Sequence, residues 1–262
     1  MASISEAPIV SQMRVLHALI LRDVHTHYGA SFLGYFVVIL KPLSRLLILM
    51  AMYLFIRGRV AAIGTNPALF FATGALPYIL FVHPALSIMS AIATNRPLLY
   101  FPIVHVLDVI FARGIVEIIT AFWVTAIFCV ILLLCGVDIV PLYIHDAIQA
   151  ILATIYLGFA MGCFAAVMNK LMATWAIFFA LFMTVLYFTS GIFFIPSSMP
   201  VEIQNIVWWN PLMHAVEWLR SAYYEGYGYG LLDRGYLLSF STITLFLTLV
   251  LERATRGRLL QL

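Results

Sequence analysis

The stretch IVEIITAFWVTAIFCVILLLC, residues 115–135, carries a single charged side chain, Glu117, in an otherwise almost wholly apolar run. It shows neither the alternation of a half-buried strand nor the polar face of a helix on a soluble domain. About 20 such residues, rising about 1.5 Å each, cross the roughly 30 Å hydrocarbon core of a bilayer as a helix. Five further stretches have the same character: residues 33–56, 69–93, 147–168, 171–195 and 236–251. Hydrophobic residues make up 64% of the chain and charged residues 10%, against about half and a quarter in soluble proteins. The expected fold is therefore an all-α membrane protein with six transmembrane helices. A transmembrane β-barrel is excluded, because its strands alternate apolar and polar residues. Residues 1–32 read as a tail and interfacial helix, and 33–262 as a single transmembrane domain.

Lys and Arg set the expected orientation. With six spans, one side holds Arg14, Arg22, Arg96, Arg113, Lys170, Arg253, Arg256 and Arg258, and the other Arg57, Arg59, Arg220 and Arg234 together with most of the acids. Both termini are expected in the cytoplasm. Arg14, Arg22 and Arg113 then form a candidate cytoplasmic mouth. No cleavable leader is expected, since the first residues contain Glu6 and Pro8 and no apolar core. Cys129, Cys135 and Cys163 lie inside expected spans at spacings that fit neither a disulfide framework nor a zinc site. The seven scattered histidines imply no metal site, and the net charge of +3 leaves no nucleic-acid footprint.

Within residues 10–28, Met13, Leu16, Ile20 and Val24 recur at three- and four-residue steps, with Gln12, Arg14, Arg22 and Asp23 elsewhere on the helix and Gly29 at its end. Such a helix lies flat at the membrane interface or docks on the protein as a soluble helix. Between spans two and three runs Thr94-Asn95-Arg96-Pro97-Leu98-Leu99-Tyr100-Phe101-Pro102-Ile103. This knuckle is expected to expose Leu98, Leu99, Tyr100 and Phe101, either as a docking surface for another protein or partly immersed in headgroups. In 197–230 two short apolar helices, broken at Asn210-Pro211, are each too short to cross. A re-entrant pair anchored by Trp208, Trp209, Trp218, Tyr223 and Tyr224 is the expected arrangement, with the Gly226-Tyr227-Gly228-Tyr229-Gly230 run as its return.

Lys41 and Arg45 stand four residues apart on one face of span one, about 12 and 18 Å along it from Leu33. A basic residue near the bilayer centre costs about 2.5–3.5 kcal/mol on insertion scales. Two on one face mark a passage for something anionic or heavily hydroxylated. The alternative has Lys41 snorkelling to headgroups and Arg45 bonding carbonyls loosened near Pro42. Span five is rich in aromatic rings, which suit the apolar C–H faces of sugars. Tyr187 and the Trp208/Trp209 pair are the candidates there and at the outer end. Gly158-Phe159-Ala160-Met161-Gly162 permits close helix packing, and Arg113 with Glu117 is an expected i,i+4 pair at the mouth of span three.

A P-loop needs Gly-Lys followed by Ser or Thr. The lysines, Lys41 and Lys170, follow Leu40 and Asn169. The acids expected at span centres of ion-coupled carriers are missing from the expected centres. Transport energy is therefore expected from a partner.

Several stretches resemble the membrane subunits of ABC-2 type exporters, and among them the capsular polysaccharide export permeases. They are Ala18-Leu19-Ile20-Leu21-Arg22-Asp23 with Leu33-Gly34-Tyr35 and Ile39-Leu40-Lys41-Pro42; Asp108 to Glu117 with Ala112-Arg113; and Trp209-Asn210-Pro211-Leu212-Met213-His214-Ala215-Val216-Glu217. The chain departs from the family pattern at Val37, where tryptophan is common, and at Lys41, where an acid is common. The resemblance implies a homodimer enclosing a channel, with two copies of a nucleotide-binding ATPase that bind ATP and Mg, so that this chain holds no cofactor. Arg96, Pro97, Leu98, Leu99, Tyr100, Phe101 and Pro102 would form the coupling helix. It further implies a lipid-linked, acidic polysaccharide as cargo, a periplasmic co-polymerase-like protein and an outer-membrane export channel. The alternatives are another cargo on the same fold (O-antigen, teichoic acid or a small amphiphile) and a membrane-embedded transferase. The transferase would need clustered acids or histidines at a span end.

Overall fold

The computed structural model describes residues 8–28, 32–58, 62–101, 103–227 and 230–259, among which all regular structure is helical. The α-helices in chain order are α1 (Pro8–Tyr28), α2 (Phe32–Arg57), α3 (Pro67–Met89), α4 (Ala91–Thr94), α5 (Val106–Leu134), α6 (Ile144–Leu171), α7 (Trp175–Thr189), α8 (Val201–Val207), α9 (Pro211–Tyr223) and α10 (Arg234–Leu259). Five of them, α2, α3, α5, α6 and α10, are long and apolar enough to cross a membrane. Glu6, Gly29, Arg59, Pro102, Gly228 and Tyr229, named in the sequence reading, lie outside the described residues.

The bundle is built around α3, whose Phe70, Phe71, Phe81 and Ala85 are fully buried. It packs most extensively on α6 and also on α2, α5 and α9, while α10 lies against α6 and α1 against α5. The Gly158/Gly162 spacing explains the α3–α6 approach. A Cβ at Gly158 would stand 2.8 Å from the Phe81 carbonyl oxygen, and one at Gly162 would stand 3.1 Å from Ala85 Cα. In lipid, helices gain little from hydrophobic burial against each other, so this closeness converts directly into van der Waals and backbone contact. The outward faces stay apolar: Ile48, Met52 and Phe55 of α2, and Ile243, Phe246 and Val250 of α10, are exposed in the single chain. Only lipid or another chain suits such faces.

Two expected boundaries are corrected. The third span begins at Val106, nine residues before the expected 115. Asp108 accepts a hydrogen bond from the His105 amide at 2.8 Å, satisfying a helix-start donor, and Gln12 of α1 donates to the same carboxylate at 2.6 Å. Glu117 thereby lies about 16 Å inside α5, with 1% exposure. The fifth apolar stretch, expected over 171–195, is helical only from Trp175 to Thr189. It stops at Ser190, and Gly191 takes φ +79°, a left-handed conformation that favours glycine.

The break at Asn210-Pro211 is as expected, and it is tied down. Asn210 Oδ1 accepts from the Leu212 amide at 2.8 Å, while its Nδ2 donates to the Leu186 carbonyl at 2.9 Å and to Thr189 Oγ1 at 2.8 Å. One side chain caps α9 and grips the end of α7.

Candidate functional site

Lys41 and Arg45 project from α2 into a groove of about 540 Å³ between α2 and α3, whose lining also includes Pro42, Ile79, His83 and Ser87. Among the described residues no carboxylate lies within ion-pair distance of either cation. Arg45 Nη2 donates instead to Tyr78 Oη at 3.4 Å, and its guanidinium lies 5.8 Å from the Tyr78 ring centroid, within cation–π range. Tyr78 packs against Tyr187 at 4.4 Å between centroids, and Tyr187 meets Phe193 edge-on at 5.4 Å. The structure thus joins two sequence candidates from different helices, Arg45 and Tyr187, through a tyrosine of α3 that the sequence reading passed over. The result is a cationic groove wall backed by a buried tyrosine, Tyr78 being 4% exposed.

Behind the groove lies a buried charge network. His83 Nδ1 stands 2.9 Å from Glu117 Oε2, and Ser87 Oγ donates to Glu117 Oε1. Arg113 Nε lies 3.2 Å from Glu117, as the i,i+4 spacing implied, and Arg113 Nη2 donates to Ser87 Oγ at 2.7 Å. Arg113 Nη1 donates to Asp23 of α1 at 3.1 Å. Removing one partner of a buried pair costs about 3–5 kcal/mol, so this network fixes α1, α3 and α5 together. Of the three candidate mouth residues, Arg113 is buried within the network. Arg22 is exposed and donates to Asn95 Oδ1 at 3.2 Å, and Arg14 is exposed.

The knuckle is a 3-10 turn over Arg96–Tyr100, opened by Pro97. Tyr100 and Phe101 are 69% and 59% exposed, and Arg96, Pro97 and Ile103 are exposed beside them. Leu99, expected at the surface, is only 6% exposed. It sits in an apolar cluster with Leu19, Ile92 and Val106, and Leu98 packs against that cluster half-buried. The tight i,i+3 geometry of the turn separates neighbouring side chains by about 120°. That is why one of two adjacent leucines turns fully inward while Tyr100 and Phe101 point out.

Trp208 and Trp209 do not join the groove. Trp208 packs on His214 and on Tyr236 of α10 at 5.4 and 4.8 Å between centroids, whereas Trp209 is 70% exposed. The Asp233 amide donates to His214 Nδ1 at 3.1 Å, so His214 Nε2 carries the hydrogen it gives to the Trp208 carbonyl at 2.8 Å.

Sequence reasoning counted Arg220 only as an outer-side charge. It is fully buried. Its Nη1 donates to the carbonyls of Gly191 at 2.7 Å and Phe194 at 3.2 Å, and its Nη2 to Ile192 at 2.9 Å. The guanidinium lies 4.1 Å from the Phe70 ring centroid and 3.6 Å from Glu217. Tyr227 donates to Glu217 at 2.7 Å, and burial, with that carboxylate beside it, pushes the Tyr227 hydroxyl pKa up. The available signal was a Glu-x-x-Arg pair inside an apolar half-helix.

The described residues thus form an all-helical, multi-spanning membrane domain with a basic groove and an exposed aromatic knuckle. Residues 14–224 match the ABC-2 type transporter family, and the chain belongs to it. Permease domains of this family normally lack an ATPase of their own and pair with ATPase subunits. The polysialic acid transport protein KpsM of Escherichia coli is 30% identical over 252 residues, covering 95% of this chain and 96% of KpsM. The capsule polysaccharide export inner-membrane protein BexB of Haemophilus influenzae is 28% identical over 216 residues, covering 81% and 80%. CtrC of Neisseria meningitidis, also a capsule polysaccharide export inner-membrane protein, is 28% identical over 258 residues, covering 95% and 94%. The chain is a multi-pass inner-membrane protein.

Proposed function

We propose that the chain is the permease subunit of an ATP-driven exporter moving lipid-linked capsular polysaccharide from the cytoplasm across the inner membrane. In this reading α2, α3, α5, α6, α7 with residues 190–195, and α10 make six crossings of a single transmembrane domain. Both ends are cytoplasmic, and α8 and α9 form a re-entrant pair at the periplasmic side. Two copies enclose the channel, and two ATPase subunits, which bind ATP and Mg, dock on the Arg96–Phe101 knuckle. A periplasmic co-polymerase-like protein and an outer-membrane export channel continue the route.

The observation that carries the reading is the pair Lys41 and Arg45, with no carboxylate partner among the described residues, facing a groove with Tyr78 and Tyr187 beside Arg45. A lipid-facing helix is destabilised by such a pair, and an acidic glycan supplies what they lack. The names of the relatives, which include a polysialic acid transporter, support the same cargo class.

The test is deletion of the gene in its host, complemented by wild type, Lys41→Ala or Arg45→Ala, with surface and intracellular acidic glycan measured separately. Deletion should trap polymer inside, wild type should restore it to the surface, and each variant should lower surface polymer by about ten-fold, the effect of about 1.4 kcal/mol. Unchanged surface polymer after deletion would overturn the reading.

A further inference from the structure

One feature of the buried network is its continuity with both functional surfaces. At one end, Arg22 holds Asn95, the residue just before the knuckle, at 3.2 Å, and Leu19 packs in the same cluster as Leu99. One residue further along α1, Asp23 holds Arg113 at 3.1 Å. Arg113 in turn holds Ser87 and Glu117, and Glu117 meets His83 at 2.9 Å. Ser87 and His83 form part of the wall of the basic groove. The side-chain hydrogen bonds and ion pairs along this route are all charged or charge-assisted, and those from Asp23 to Glu117 lie among side chains no more than 8% exposed.

We propose that this chain of contacts is the route by which events at the knuckle reach the groove, with Asp23, Arg113 and Glu117 as positioning residues for its His83/Ser87 wall. This rests on the permease reading above. The physical reason is that a buried guanidinium cannot release a carboxylate without leaving an unpaired charge. A displacement of α1 by a load on the knuckle therefore moves Arg113, and with it Ser87 and Glu117, instead of dissipating between helices. Packed interiors respond as discrete rearrangements rather than smooth deformation, and coupling of two sites is a free energy that double-mutant cycles measure.

The experiment complements the deletion host with Asp23→Asn, with His83→Gln and with both. Surface glycan is measured in cells, and basal ATPase activity in the co-purified permease–ATPase complex. Asp23→Asn should keep basal ATPase within about two-fold of wild type while lowering surface glycan by about ten-fold, a separation that mere loss of folded complex does not produce. The double variant should be no worse than the more severe single variant. Effects that multiply, or Asp23→Asn export equal to wild type, overturn the coupling route. If Asp23→Asn does not accumulate in membranes, Arg22→Ala, whose side chain is exposed, replaces it in the cycle with the same two outcomes. Failure of wild type to restore surface glycan would sink the permease reading itself, which separates the two failures.

Discussion

Replacing Arg220 by alanine removes the group that holds the backbone of residues 191–194, just past the end of α7. Three carbonyls, at 2.7, 2.9 and 3.2 Å from the guanidinium, lose their donor, and Glu217 keeps its hydrogen bond from Tyr227. An orphaned buried polar group costs about 1–3 kcal/mol, so three would total about 3–9 kcal/mol if none found water. Breaking a buried ion pair by deleting one partner costs about 3–5 kcal/mol, and the stacking on Phe70 contributes up to about 2 kcal/mol. These overlap, since one side chain serves all three. The expected net loss is about 3–5 kcal/mol, a shift of two to three and a half decades in the folded ratio. SDS titration of the purified protein in mixed micelles, followed by tryptophan fluorescence, reads this directly. Arg220→Lys should recover only part, because an ammonium lacks the planar fork that reaches three carbonyls. Gly74→Ala offers an independent check: its Cβ would stand 2.8 Å from Arg220 Nη2 and 3.1 Å from Ile192 Cα. It should destabilise by about 1–3 kcal/mol through overpacking. An Arg220→Ala protein within about 1 kcal/mol of wild type would refute the claim that this side chain holds residues 191–194 in place.

Tyr100→Asp and Phe101→Asp should abolish co-purification of the ATPase while leaving the protein in the membrane. Leu99→Asp should instead lower the yield of folded protein, because its side chain is buried; a pull-down showing intact ATPase binding by both surface variants would count against the docking assignment. Gly158→Leu should destabilise the bundle by about 1–3 kcal/mol, since even the first added carbon meets the Phe81 carbonyl; an unchanged SDS midpoint would show that α3 and α6 can separate at no cost.

What the sequence made legible was whatever depends on local composition. Apolar length placed α2, α3, α6 and α10 near their observed positions, the glycine spacing marked a helix face fit for close packing, and Asn210-Pro211 located the break between α8 and α9. What it concealed depends on tertiary partners. Hydropathy carries no information that a carboxylate at Asp108 will cap a helix and bind Gln12 of α1, so α5 reads as starting only after Arg113. Nor does an apolar run from 171 to 195 announce that an arginine 29 residues beyond Gly191 will take its carbonyls. Leu98 and Leu99 are chemically identical in sequence, and only the turn geometry assigns one fully to the core. Tyr78 was invisible for the same reason, being one aromatic among many until Arg45 and Tyr187 are seen on either side of it.

The distribution of partners among the buried and membrane-depth charges also bears on how a groove can both hold and release a polymer. Arg113, and Arg220 through its Nη1 and Nη2, donate to carboxylates, hydroxyls or carbonyls, and each holds several segments of the fold. Lys41 and Arg45 are exposed on the groove, and two like charges at i,i+4 repel on an isolated helix by about 0.2–0.5 kcal/mol. Had Arg45 served only to satisfy carbonyls freed by Pro42, its hydrogen bond would run along α2; it runs across to Tyr78 instead. Its 3.4 Å length marks a weak bond that a stronger acceptor displaces readily. On the proposed reading this weakness is functional. Conduction requires sites that favour occupation without trapping the occupant, and a pair of loosely held cations beside aromatic faces meets that condition for successive acidic units, whereas the tightly paired arginines would not.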